Sequence, residues 1–139
     1  MEAVLMRQLE KIIINGTQYL LWNAAAGTRP TTAAIRLLLD GKAGVGGHHL
    51  LVVDTCRETI RLFDAAGQES ALDATALYTA SLWLARAGQA ARAASLLDTL
   101  PAAARQRLSA GTARHIEVRL TDVFFHRLMN AASPAKIAG

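Results

Sequence analysis

The sequence predicts an α+β domain in which a curved, antiparallel-rich sheet wraps around one central apolar helix. Apolar residues cover most of the circumference of a helix over 74–87, which is typical of a helix buried on all sides. Short strand patterns precede and follow this helix, so we expect the strands to enclose it. The 139 residues, 52% hydrophobic and 19% charged, suit a single domain over 1–139 and exclude a disordered chain.

The amino-terminal region predicts a β-hairpin followed by a helix. Strand patterns over 11–14 and 19–22 flank Asn15-Gly16, and Asn-Gly is the strongest short hairpin signal. A helix over 32–40 follows, with a threonine at its start whose oxygen can accept a hydrogen bond from an unpaired backbone amide. We therefore expect two paired strands and one capped helix before the glycine-rich segment.

The middle region predicts two more strands. A glycine-rich turn over 41–49 leads into an apolar strand over 50–54, and a strand over 59–63 ends in a turn over 64–67. A phosphate-binding function for the glycines is disfavoured, because they precede a strand and a phosphate loop precedes a helix. The glycines are expected to let the backbone turn tightly.

The carboxyl-terminal region predicts helices and a final strand. Segment 89–109 is alanine-rich and divided by Pro101, which predicts an inserted helical pair. Alternating polar and apolar residues predict a strand over 115–127, and the tail over 133–139 is expected to be flexible. Apolar residues that crowd the end of this strand are expected to form a surface for pairing with another chain: Val123, Phe124, Phe125, Leu128 and Met129.

Three stretches resemble diaminopimelate epimerases. Residues 44–53, Gly-Val-Gly-Gly-His-His-Leu-Leu-Val-Val, resemble the family's Gly-hydrophobic-Gly-Ala-Asp-Gly-Leu-Leu. Residues 61–69, Arg-Leu-Phe-Asp-Ala-Ala-Gly-Gln-Glu, resemble Arg-Ile-Phe-Asn-Ala-Asp-Gly-Ser-Glu, and residues 16–21, Gly-Thr-Gln-Tyr-Leu-Leu, are similar to Gly-Asn-Asp-Phe-Val-Val. The resemblance keeps order and spacing over 11–88, and the chain is about half the family's length. It therefore resembles the family's amino-terminal half.

The resemblance implies a fold and a mechanism. In that family two similar halves, each a sheet wrapped around a helix, face each other across a cleft. Each half supplies one acid–base cysteine: one removes the substrate's α-proton and the other returns a proton to the opposite face, without a cofactor. We therefore expect no cofactor and no metal, and we expect a homodimer or a separately encoded second half to complete the cleft.

The candidate site residues depart from the family pattern. The family's cysteine aligns with Asp73, and the Asp-Gly of its glycine loop becomes His48-His49. These three residues are the predicted catalytic groups. An aspartate is compatible with the fold, because the phenazine-biosynthesis isomerase-like relatives use carboxylate acid–base groups. The predicted substrate-binding residues, at or beside positions that hold substrate in the family, are Thr17, Gly46, Asp64 and Thr75.

Each candidate group also has a structural interpretation. Asp73 opens the predicted helix, so it can act as an N-cap, as a proton-transfer group or as both. The positive end of the helix would stabilise its carboxylate and make it a weak base towards a carbon acid. His48 and His49 point to opposite faces of a strand, so at most one lines a given pocket. The single cysteine, Cys56, does not align with the family's cysteine, and buried packing is its expected role.

Two functions remain open. The first is an isomerase-like protein, an amino-acid epimerase, racemase or related proton-transfer enzyme acting on a small molecule. The second is a non-catalytic binding or scaffold subunit that has lost the acid–base cysteine. A net charge of +4 is scattered and only 5% of residues are aromatic, so no nucleic-acid partner is expected. The chain has no pattern of a signal peptide or a bilayer span, so we expect a cytoplasmic protein with no membrane partner.

Overall fold

A computed structural model describes residues 8–24 and 30–132. In these ranges the chain is α+β, with six strands in one mixed sheet and five helices. The strands are β1 (Gln8–Ile14), β2 (Thr17–Asn23), β3 (His49–Asp54), β4 (Thr59–Asp64), β5 (Glu69–Ser70) and β6 (Ala113–Arg119). The helices are α1 (Thr32–Leu39), α2 (Ala74–Arg86), α3 (Ala90–Asp98), α4 (Ala102–Ala110) and α5 (Asp122–Ala132).

The expected flexible tail, 133–139, lies outside the described residues. Within the two described ranges, no helix has both the length and the apolar character needed to cross a membrane.

The sheet has the strand order β5-β4-β3-β2-β1-β6. Only β2 and β3 pair in parallel, with α1 as the crossover between them, and the other neighbours are antiparallel. Asn15 (φ 48°) and Gly16 (φ 88°) both adopt the left-handed conformation that a tight hairpin turn between β1 and β2 requires. The predicted hairpin and the predicted antiparallel-rich sheet are confirmed.

Helices cover both faces of the sheet. Side chains alternate along each strand, so each strand contributes to two separate cores. On one face Leu20 and Leu50 pack with α1 and α5, and on the other face Leu21 and Leu51 pack with α2, α3 and α4. The sheet is therefore the middle of three layers.

Helix α2 lies against one face of the sheet and is buried on one side only. The expectation that it is buried on all sides is wrong, because Ala85 and Arg86 are exposed and Trp83 is only half-buried. The sheet covers the side of α2 that carries small residues, and α3 packs beside it. The buried positions are Ala76, Thr79, Ala80, Ser81 and Leu84.

The predicted strand over 115–127 is correct only for its first part. Strand β6 ends at Arg119 and α5 begins at Asp122, where Thr121 accepts a hydrogen bond from the Phe124 amide (3.2 Å) as an N-cap does. Phe125 and Leu128 are three residues apart, on one helical face, and are 5% and 0% exposed in the core. The apolar residues that were expected to form a pairing surface therefore lie mainly in the core of this chain. Among them only Val123, 72% exposed, lies largely at the surface.

The glycine-rich segment packs closely on the end of α1. The Asp40 carboxylate accepts hydrogen bonds from the amides of Lys42 (2.8 Å) and Ala43 (2.9 Å), and the Gly44 amide donates to the Asp40 carbonyl. A Cβ atom on Gly44 would lie 1.8 Å from the Leu37 carbonyl oxygen. The absence of a side chain at Gly44 is thus a packing requirement.

We predict that Gly44→Ala destabilises the protein by about 1–3 kcal/mol, because the added methyl group forces the loop away from α1. Gly41→Ala is the matched control, since a Cβ atom there meets nothing within 4 Å. Urea denaturation should show no loss, or a gain of about 0.4–1 kcal/mol, for the control. Equal stability of the two variants would contradict the close approach of Gly44 to α1.

Candidate functional site

Three polar side chains form a row across the face of the sheet that α2 covers. Tyr19 on β2 is paired with His49 on β3, and His49 is paired with Asp64 on β4. The alternation of side chains along each strand places all three on the same face. The rings of Tyr19 and His49 stack with centroids 5.3 Å apart and an interplanar angle of 25°. We call Tyr19, His49 and Asp64 the polar row.

Helix α2 begins beside this row, at Asp73. The phenol of Tyr19 is 2% exposed, and its pKa is raised to about 12 by burial and, second, by the negative charge of Asp73. The phenol therefore stays protonated at neutral pH and is able to donate a hydrogen bond. The coupling brings together Asp73 and Tyr19, two residues that are far apart in the sequence.

Asp73 is the N-cap of α2, as predicted. Its Oδ1 accepts a hydrogen bond from the Ala76 amide at 2.8 Å, and its backbone carbonyl accepts from the Leu77 amide. The residue is exposed, so solvent or a ligand can reach the carboxylate. Asp73 therefore combines a structural bond with an accessible charge at the positive end of a helix.

Asp64, like Asp73, accepts hydrogen bonds from backbone amides through one carboxylate oxygen. Its Oδ1 accepts hydrogen bonds from the amides of Ala66 (2.9 Å) and Gln68 (3.0 Å), which closes the turn after β4. The side chain is half-buried at the end of the polar row. The two carboxylates of the site thus both hold local backbone structure.

The Nδ1 atom of His49 is buried and has no hydrogen-bond partner among the described residues. It is the one such side-chain nitrogen or oxygen atom in the described part of the chain. Leaving a buried polar atom unpaired is costly, and native proteins do so rarely. Because Nδ1 belongs to a ring stacked on Tyr19, it lies in the polar row. This atom is the strongest local indication that the row binds something.

His48 has a different role from His49. It is exposed, its Nδ1 accepts a hydrogen bond from the Gln18 amide (2.9 Å), and its own amide donates to the Gln18 carbonyl (3.0 Å). These bonds attach the start of β3 to β2. The adjacent histidines therefore diverge, and only His49 joins the polar row.

The remaining predicted residues lie on three elements. Thr17 is half-buried on the same face of β2 as Tyr19, two residues earlier, and Thr75 is half-buried in the first turn of α2. Gly46 has φ +84°, and its amide donates to the Leu38 carbonyl of α1 at 2.9 Å. Thr17 and Thr75 therefore share elements with the site, whereas the amide of Gly46 is used to hold α1.

Sequence reasoning missed Tyr19. The only available signal was its period-two spacing from Thr17, which placed both on one face of the predicted strand. Cys56 was expected to be buried and is instead exposed, in the loop between β3 and β4. In the described ranges, no group of three or more histidine, cysteine, aspartate or glutamate side chains is placed to hold a metal ion.

A separate cleft of 390 Å³ lies between α3 and the β3–β4 hairpin, with Leu84 of α2 in its wall. Its cation, Arg92, donates to the Thr55 carbonyl and pairs with Glu58 at 3.3 Å. The protein itself supplies the partners of this cation.

Comparison with protein-family models finds no matching family, and comparison with curated proteins finds no match. The site is therefore interpreted from its own chemistry.

We predict that the stability of the protein falls as the pH rises from about 10 to 12, because the unfolded state loses the Tyr19 proton first. The contribution is fully present below pH 10, and its loss amounts to about 2–3 kcal/mol by pH 12. Tyr19→Phe should show a shallower decline in urea denaturation across this range, whereas Tyr78→Phe should decline as the wild type does. Identical slopes for all three proteins would contradict the raised pKa.

We also predict that His49→Phe keeps or raises the free energy of unfolding, by up to about 1 kcal/mol, because the ring stack survives and an unpaired buried atom is removed. His48→Phe is the matched control and should cost about 1 kcal/mol, since the Gln18 amide loses its acceptor. Thermal and urea denaturation compare the two variants. A loss of stability in His49→Phe as large as that in His48→Phe would show that His49 has a structural partner.

Proposed function

We propose that this chain is one half of a diaminopimelate-epimerase-like isomerase that transfers a proton at the carbon next to a carboxylate or carbonyl group, without a cofactor. The observation that carries the proposal is the unpartnered Nδ1 of His49, in a row that also holds the Tyr19 phenol, beside the Asp73 carboxylate. The order of the elements from β1 to α2 agrees with the resemblance over 11–88. The specific epimerase-like half-fold is part of this proposal.

The groups of the site suit an amino-acid substrate. The positive end of α2 favours the substrate's carboxylate, and the negative charges of Asp64 and Asp73 favour its ammonium group. The neutral Tyr19 phenol can donate a hydrogen bond to a developing enolate oxygen. The Nδ1 of His49 would gain the partner that it lacks in the protein alone.

Asp73 is the proposed proton acceptor. Its carboxylate removes the α-proton, the electron pair of that bond moves into the enolate, and an acid on the opposite side returns a proton to the carbon. Both groups then re-equilibrate with solvent. A carboxylate is a weak base towards a carbon acid, so the reaction depends on enolate stabilisation by the surrounding groups.

The acid on the opposite side must come from another subunit. Asp73 is exposed at the start of α2, so another subunit could approach its carboxylate. A homodimer or a separately encoded second half would supply the opposite acid–base group and exclude water. Closed two-fold dimers are the commonest protein assembly.

The second candidate is a non-catalytic binding or scaffold subunit. It is favoured by the bonding of the two carboxylates, since Asp73 and Asp64 each direct Oδ1 to backbone amides. In this alternative the polar row binds a ligand, and no proton is exchanged.

We predict that incubation in D₂O with a panel of L- and D-amino acids incorporates deuterium at the α-carbon of at least one of them. Asp73→Asn should lower the exchange rate by about 100-fold or more, the usual contribution of a general base. Asparagine caps a helix as well as aspartate, so the fold should be retained. Mass spectrometry of the recovered amino acids measures the exchange.

Asp98→Asn is the matched control for this experiment. Its side chain is 80% exposed and its only contact in the described ranges is an ion pair with Arg105 at 3.8 Å, so the exchange rate should be unchanged. The absence of exchange over the whole panel would contradict the isomerase. Ligand-dependent thermal stabilisation that His49→Phe abolishes would then support the binding subunit.

A further inference from the structure

Strand β6 forms one edge of the sheet. It pairs with β1 on one side, and in the described ranges no strand pairs with its other side. Its seven residues, Ala-Arg-His-Ile-Glu-Val-Arg, include no proline or lysine, which commonly block edge-to-edge pairing. Ile116 at its middle is 36% exposed. A long edge of this kind presents unpaired backbone amides and carbonyls to another strand.

We propose that β6 pairs antiparallel with β6 of a second copy of the chain, about a two-fold axis at Ile116, to form one continuous sheet. The proposed interface lies at the edge of the sheet and is separate from the start of α2, where a second half would complete the cleft. It does not depend on whether the polar row is catalytic.

The position of the axis follows from the length and charge of the strand. Ile116 is the midpoint of Ala113–Arg119, so an axis there gives every residue of β6 a partner. His115 then faces Glu117 of the second copy, and this pairing occurs twice. An axis at Glu117 would place two glutamates opposite each other, which is destabilising.

Glu117 is the one acidic residue of β6. It is exposed and lies directly opposite Glu10 in the β1–β6 register. Glu10 is itself held by two nitrogen atoms: His115 Nδ1 lies 2.8 Å and Arg86 Nε 3.0 Å from its Oε1. No ion pair of Glu117 occurs among the described residues. In a second copy the Nδ1 of His115 is held by Glu10 in the same way, and its Nε2 would face Glu117, which is why we favour self-pairing over an unrelated strand.

The other face of β6 supplies apolar contact. Ile116 and Val118 border an open cleft of 460 Å³ together with Val45 and Phe124. An axis at Ile116 brings the two copies of this side chain together at the centre of the junction. The His115–Glu117 pairs on one face and the Ile116 pair on the other then favour this register.

We predict that Ile116→Cys forms an intermolecular disulfide rapidly and almost completely under mild oxidation, in a Cys56→Ser background that removes the exposed native thiol. Residues that face each other across an antiparallel pair have Cα atoms about 4.5–5.5 Å apart, within disulfide range. Arg114→Cys and Val118→Cys are controls. Each would lie about 13 Å from its own counterpart and should stay reduced. Non-reducing electrophoresis measures the product.

Sedimentation equilibrium tests the same interface without cysteines. The wild type should have twice the monomer mass of 14.8 kDa. Glu117→Lys should raise the dimer dissociation constant about tenfold or more, because each lysine would face His115 of the other copy. The same variant removes the like-charge contact with Glu10, so the monomer should stay folded. Asp98→Lys, a comparable reversal at an exposed site, should leave the constant unchanged.

A monomeric wild type at all concentrations would overturn the proposal, as would equal disulfide formation at positions 114, 116 and 118. A dimer unaffected by Glu117→Lys would place the interface elsewhere. These results are independent of deuterium exchange, so failure of the interface and failure of the isomerase are distinguishable.

Discussion

The packing of α2 on the sheet is the contact on which the rest of the structure depends. The helix meets the sheet through small residues, with Ala76 and Ala80 completely buried, so its backbone lies close to the strands. This close approach puts the first turn of α2, and therefore Asp73, beside Tyr19. Larger residues at these two positions would lift the helix and separate the carboxylate from the phenol. The site is thus a consequence of how the core is filled.

The polar row combines two groups that stabilise the fold with one that does not. Asp73 and Asp64 stabilise the local backbone through their Oδ1 atoms, whereas the Nδ1 of His49 is buried without a partner. A phenylalanine at position 49 could stack on Tyr19 without that cost. Residues that lower the stability of a protein and make no stabilising contact in exchange are typical of binding and catalytic sites. This reasoning gives His49 more weight than the two carboxylates, whose positions structural bonds already explain.

Local chemistry explains which features could be predicted from the sequence. The hairpin at Asn15-Gly16 and the caps at Thr31 and Asp73 depend on residues within three or four positions of each other, and the structure has all of them. The apolar residues after 120 were misinterpreted because their neighbours fit an alternating pattern, although Phe125 and Leu128 have helical spacing. The composition of α2 could not show which of its sides is buried. An apolar residue can lie at the surface of a helix when no neighbouring element covers that side.

The role of Tyr19 depends on contacts between distant parts of the chain. In isolation β2 gives no reason to distinguish Tyr19 from its apolar neighbours. Burial raises the pKa of Tyr19 first, and the negative charge of Asp73, more than fifty residues later at the start of α2, raises it further. The alternation rule could place Tyr19 on a face, but it could not identify the charge that would lie over that face.

The polar row and the β6 edge belong to one continuous structure. The register links Asp64, His49, Tyr19, Ile12 and His115 in a single line across five strands. Helix α2 spans both regions: its first turn lies beside Tyr19, and Arg86 at its last turn contacts Glu10, which also holds His115. A second copy paired at β6 would therefore restrain the carboxyl-terminal end of the helix whose amino-terminal end carries Asp73. Because a helix is a rigid element, a restraint at one end narrows the positions available to the other.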